Sequence, residues 1–216
     1  MKTEAVLFDL DGTLLNTIDD LADSMNQVLR ENNFPEHETE KYCLFVGNGA
    51  KKLVERALPE DQREESEIDK YHIRYRELYG KCWKNKTSLY EGIEDLLTRL
   101  RILNIPIAIL SNKPHGDVLR VTNFFFEDDL FSVISGQKDH IPHKPAPDGI
   151  YLITDELKVN CEKCLFVGDS SVDMKTAGAA RMKAVGVSWG FRSTEELIEN
   201  GADYIINEPG ELLSLL

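Results

Sequence analysis

Six short apolar runs govern what this chain can become: "EAVLFD" (4 to 9), "IPIAILS" (105 to 111), "FSVIS" (131 to 135), "CLFVGD" (164 to 169), "KAVGVSW" (183 to 189) and "DYIIN" (203 to 207). Their apolar residues fall on consecutive positions rather than alternate ones, the mark of strands buried on both faces. Helical periods lie between them. Ile93, Leu96, Leu97 and Leu100 follow the i, i+3, i+4, i+7 rule, and 114 to 124, 147 to 157, 172 to 180 and 193 to 200 have helix length. Strands alternating with helices in this way predict an α/β fold, a doubly wound, Rossmann-like parallel sheet covered on both sides.

The alternation fails once. Between 16 and 86 no strand pattern appears; instead Ile18, Leu21, Ala22, Met25 and Leu29 form one helical stripe, with further helices predicted over 50 to 58 and 64 to 83. The expected organisation is a core from 1–15 and 87–216, interrupted by an all-α insertion at 16–86. A net charge of −13 argues against a nucleic-acid or anionic-membrane partner, and no apolar run approaches the roughly 20 residues a membrane-spanning helix needs. With no signal-peptide pattern at the N-terminus, the expected location is the cytoplasm. "CEKC" at 161 to 164 has no second pair to close a zinc site and reads as ordinary packing.

In an open parallel sheet ligands bind beyond the C-terminal ends of the strands, and three predicted strands end there in polar chemistry. The first ends at Asp9, with Asp11 two residues on; the second at Ser111 and Asn112; the third at Asp169, with Asp173 four residues later. Lys144, in "HKPAPD", precedes the helix before the third strand. Converging carboxylates repel unless a cation joins them, and Mg²⁺ takes carboxylate oxygens while sharing itself with substrate phosphate. Such a site suits phosphoryl transfer: Asp9 as nucleophile, Asp11 as acid and then base, Ser111 as donor to a phosphoryl oxygen, Lys144 as charge partner.

The chain here resembles the haloacid dehalogenase superfamily of phosphohydrolases over essentially its whole length. "DLDGT" (9 to 13), Ser111 in "LSNK", Lys144 in "HKPAPD" and "GDSSVD" (168 to 173) match that family's four motifs in order. The resemblance implies a metal held by Asp9, Asp169 and the main-chain carbonyl of Asp11, with Asp173 orienting Lys144 or a metal-bound water. It implies Gly12, Thr13 and Asn112 at the substrate, and it makes the insertion a helical cap domain. True dehalogenases of the family lack the second aspartate, so Asp11 favours phosphoryl chemistry.

Within the insertion, "VGNGAKKLVERAL" (46 to 58) sets Gly47, Asn48 and Gly49 before a predicted helix, an arrangement of free N–H groups suited to an anion. This stretch and "LSNKP" resemble the phosphoglycolate phosphatase branch, implying a small phosphorylated metabolite with a second anionic end. The competing expectations are a sugar-phosphate or nucleotide phosphatase, an inorganic pyrophosphatase, a β-phosphoglucomutase-like enzyme, or a binding protein that retains the fold without turnover. Asn16, where close relatives of the branch often carry Asp, weakens the claim to one substrate. A monomer or a homodimer is equally compatible with the sequence.

Overall fold

The computed structural model describes residues 3–216. The chain forms two compact units, one of Met1–Leu15 with Leu89–Leu216 and one of Asn16–Ser88.

The first unit is built on a six-stranded sheet of β1 (Ala5–Phe8), β4 (Ile107–Pro114), β5 (Val133–Gln137), β6 (Cys164–Gly168), β7 (Lys183–Val187) and β8 (Tyr204–Ile206). Every pairing is parallel and the order is β5-β4-β1-β6-β7-β8. Helices α5 (Ile93–Ile102), α6 (His115–Phe125), α7 (Asp148–Leu157), α8 (Ser171–Ala179) and α9 (Thr194–Glu199) make the crossovers. β1, β4 and β6 are buried almost throughout, because each lies inside the sheet with helices over it. Ala5, Leu7, Ala108, Leu110 and Phe166 share one core with Ile150 and Ile153 of α7 and Met174 and Ala177 of α8. The chain runs outward from β1 to β4 and β5, then returns to the other side of β1 for β6. That reversal opens a crevice at the C-terminal ends of β4, β1 and β6, where an α/β sheet receives its ligand.

The second unit is helical: α1 (Ile18–Glu31), α2 (Thr39–Phe45), α3 (Ala50–Ala57) and α4 (Glu65–Cys82). α1 packs on α4 and α2, and α3 packs on the same two helices. The fourth helix, α2, was not expected. Only Tyr42 and Phe45 of its seven residues are buried, too few for a readable period. β2 (Leu15–Asn16) and β3 (Ser88–Leu89) form a separate two-stranded sheet. In the core unit β5 starts two residues later than expected, at Val133.

Candidate active site

β1 delivers Asp9 into the crevice, 8% exposed, on the residue after the strand's last rung. β6 delivers Asp169 in the same way, and α8 carries Asp173 in its first turn. Carboxylate oxygens of these three buried aspartates lie within 4.8 Å of one another. Lys144, itself buried, reaches between them: its Nζ donates to Asp173 Oδ1 at 2.6 Å and stands 2.9 Å from Asp9 Oδ1. At that distance the Lys144 ammonium is the ion-pair partner of Asp9 Oδ1. The other oxygen of Asp173 accepts from the N–H and hydroxyl of Ser170 at 3.1 and 2.6 Å. Both ends of Asp173 are thus committed to holding Lys144 and the start of α8.

Residues 111 to 113 of β4 divide the remaining work, where the strand's register with β5 breaks between Leu110 and Pro114. Ser111 Oγ accepts from the Lys113 N–H at 3.2 Å. The Asn112 carboxamide exchanges two hydrogen bonds with the Lys144 main chain, at 2.8 and 3.0 Å, and so fixes where the lysine starts. Asn112, expected at the substrate, is therefore engaged in holding Lys144. Lys113 Nζ donates to both oxygens of Asp11, at 2.9 and 3.0 Å.

Asp169 is enclosed by backbone. Phe191 N–H donates to its Oδ2 at 2.8 Å, Thr13 Oγ1 to its Oδ1 at 3.4 Å, and Trp189 Nε1 ties the loop down through the Thr13 carbonyl at 3.1 Å. Gly12, at φ +89°, leaves room for this: a Cβ there would overlap the Asp169 carboxylate.

Burial pushes the Asp9 carboxyl up to about 7; Lys144 opposes the rise, and Asp173 and Asp11 add to it. Asp169 is raised well above the carboxylate range by burial, then by Asp173 and Asp9. Burial pulls Lys144 down, but Asp173 and Asp9 outweigh it and the net shift is upward. Four carboxylates (Asp9, Asp11, Asp169, Asp173) meet two ammonium groups (Lys113, Lys144). Arg192, the other cation acting on Asp169, is itself paired with Glu196. With all four carboxylates ionised, two negative charges would stand in excess among hard oxygen donors, which is what a divalent cation of the magnesium type balances.

The residues read from the sequence as Asp9, Asp11, Gly12, Thr13, Ser111, Asn112, Lys144, Asp169 and Asp173 all lie in this one unit. Gly47, Asn48 and Gly49 belong to the helical unit, just before α3, with Gly47 and Gly49 at φ 114° and 86°. There Arg56 donates to Asn48 Oδ1 at 2.8 Å and to the Phe45 carbonyl at 2.9 Å. The sequence reading missed Lys113 and the loop 189 to 191. For Lys113 the signal was its place beside Ser111 and Asn112 at a strand end; for the loop there was none, because its hydrogen bond to Asp169 comes from the main chain.

This fold and site define a hydrolase class, and the chain belongs to it: the haloacid dehalogenase-like hydrolase family, whose model matches residues 6–187. Among curated relatives, the phosphoglycolate phosphatase of Haemophilus influenzae (strain 86-028NP) is 33% identical over 215 residues, covering 97% of this chain and 96% of its own. That of Colwellia psychrerythraea is 30% identical over 98% of this chain and 96% of its own. A crystal structure of a predicted phosphoglycolate phosphatase from Haemophilus somnus superposes with a TM-score of 0.90 at 28% identity, covering 100% of this chain and 98% of that one. Among the described residues no helix is long and apolar enough to cross a membrane.

Proposed function

We propose that the protein is a Mg²⁺-dependent phosphatase whose substrate is phosphoglycolate. The observation that carries this reading is the buried Asp9 at the end of β1, facing Lys144 at 2.9 Å inside a cluster of three buried aspartates. The relatives' names support the choice of substrate.

In this reading Asp9 attacks phosphorus and the ester P–O bond breaks, leaving an aspartyl phosphate on Asp9. Asp11 gives a proton to the departing oxygen, then takes one from the water that cleaves the aspartyl phosphate. Ser111 donates to a phosphoryl oxygen, and Lys144, held by Asp173 and Asn112, offsets charge developing there. Asp9, Asp169 and the Asp11 main-chain carbonyl would hold Mg²⁺, with Gly12 and Thr13 in the turn next to the phosphoryl group. When bound, the metal supplies charge neutralisation between nucleophile and phosphate. The helical unit acts as the cap, and Gly47, Asn48 and Gly49 offer N–H groups to the substrate's carboxylate.

Phosphate release from a panel of phosphorylated metabolites, with and without Mg²⁺, tests both parts. The expected result is metal-dependent release with kcat/KM for phosphoglycolate at least about tenfold above sugar phosphates, nucleotides and pyrophosphate, consistent with one recognised charged group. A flat panel would remove phosphoglycolate as the substrate. Absence of any metal-dependent release, including from an aryl phosphate, would remove the phosphatase.

A further inference from the structure

We propose that Lys113 is a positioning residue that holds Asp11 as an oriented carboxylate for the second half of the reaction, the hydrolysis of phospho-Asp9. The inference rests on the phosphatase reading above and adds a residue to it.

Asp11 stands apart from the other acids. Its side chain lies outside the cluster of Asp9, Asp169 and Asp173, and Lys113 grips both of its oxygens, at 2.9 and 3.0 Å. One ammonium donating to both oxygens ties the end of the Asp11 side chain to β4 and fixes where the carboxylate sits. The pair is nearly dry, with side-chain exposures of 5% for Lys113 and 12% for Asp11. Lys113 is anchored on β4, which is hydrogen-bonded directly to β1, and its main-chain N–H is fixed by Ser111. The register break at this point lets neighbouring residues aim differently, Asn112 at the Lys144 backbone and Lys113 at Asp11.

Stability alone is a weak reason for such a pair, because desolvating two charges consumes most of what their attraction returns. Its geometry suits the step in which Asp11 must be a carboxylate. Water oxygen attacks phosphorus, the bond from phosphorus to the Asp9 oxygen breaks, and the water proton passes to Asp11. A side chain free to swing about its Cα–Cβ bond would bring its carboxylate to that water less often. Formation of phospho-Asp9 from an ester with a good leaving group needs little from Asp11 and should be insensitive to the clamp.

Lys113→Met should therefore lower kcat by about 100-fold, within the range general base catalysis supplies. With p-nitrophenyl phosphate, kcat/KM should change less than about threefold, and a burst of nitrophenol equal to the enzyme concentration should appear as phosphoenzyme accumulates. Lys113→Arg should recover most of kcat, and Lys113→Met added to Asp11→Asn should change kcat by less than about twofold, since both remove one function. Should the Met variant melt below the assay temperature, Lys113→Gln is read in the same way. Parallel losses of kcat and kcat/KM without a burst, or an unchanged kcat, overturn the proposal while wild-type turnover leaves the phosphatase standing. A wild type that forms no phosphoenzyme overturns both.

Discussion

Asp9 and Asp20 are both buried aspartates, eleven positions apart in one chain, and their surroundings differ in kind. Asp20, 1% exposed in the first turn of α1, is satisfied by neutral donors: the Lys86 N–H reaches both oxygens at 3.1 Å, and Oδ2 also takes the Thr87 N–H at 2.9 Å and hydroxyl at 2.7 Å. Asp9 faces one shared lysine and two further carboxylates. A buried carboxylate enclosed by donors is a fastening; one surrounded by its own kind is held in tension for a cation and a substrate to relieve. The difference extends to the two units. Among ion pairs, those of the helical unit lie at the surface, as in Arg30–Glu36, Lys70–Glu67 and Arg74–Glu31, whereas the core unit also buries Lys144 and Lys113 against aspartates.

The comparison is broken most severely at Asp9. Asp9→Asn should lower phosphatase turnover at least about 1000-fold, because an amide cannot accept the phosphoryl group. The same change should raise the melting temperature of the metal-free protein, and the pH dependence carries the sign. Folding lifts the Asp9 carboxyl from 3.8 to about 7, so the folded state favours the proton. Its contribution is then most favourable below about pH 4 and is lost as pH rises towards about 7. The gap between Asp9→Asn and wild type should widen over that window in metal-free thermal melts. Mg²⁺ should stabilise wild type more at pH 8 than at pH 5.5, since protons compete for the same oxygens. A gap that stays constant with pH would mean that Asp9 carries no such tension.

Asp20 should respond in the opposite sense. Asp20→Ala leaves two main-chain N–H groups and a hydroxyl without their acceptor, at a cost of about 2–4 kcal/mol by urea denaturation. Asp20→Asn, which keeps one acceptor, should lose about half as much. Neither should alter the Mg²⁺ concentration needed for half-maximal stabilisation by more than about twofold, because Asp20 donates nothing to the metal cluster. If Asp20→Asn stabilised the protein as Asp9→Asn is expected to, the distinction between fastening and tension would fail.

The sequence disclosed Asp9 but not Asp20, for physical reasons. A strand buried on both faces announces itself as an unbroken apolar run, so β1, β4 and β6 were legible, and with them Asp9, Ser111 and Asp169 at their ends. Asp20 lies on a helix and is completed by two main-chain N–H groups and one hydroxyl 66 and 67 residues away, too far along the chain to leave a local signature. Lys113 had a signal in its place beside Ser111 and Asn112, but its role had none, because its partner is 102 residues distant. Asn112 was legible as a site residue, yet its two hydrogen bonds to the Lys144 backbone emerge only when β4 and the loop before α7 are brought together. α2 escaped because a seven-residue helix with two buried side chains has no period to detect.

The smallest effect belongs to the surface of the helical unit, and it sharpens the contrast from the other side. Arg74 of α4 donates to both oxygens of Glu31 at 2.8 Å and to Glu77 at 2.9 Å, and hydrogen bonding from Arg74 pulls the Glu31 carboxyl down to about 2. By distance this resembles the hold of Lys144 on Asp173. Solvent makes the two unequal, since Arg74 and Glu31 keep 38% and 36% of their side chains exposed against 4% and 0% for the buried pair. Water and salt screen the exposed attraction, and its partners lose rotamer freedom to form it. Arg74→Met should therefore move the melting temperature by no more than about 2 °C at neutral pH. Any loss should shrink in 1 M salt and as pH falls through about 2, where Glu31 takes up its proton. A large, salt-insensitive loss would show that α1 and α4 depend on this pair, and that an ion pair of the helical unit can carry more than a solvated surface contact.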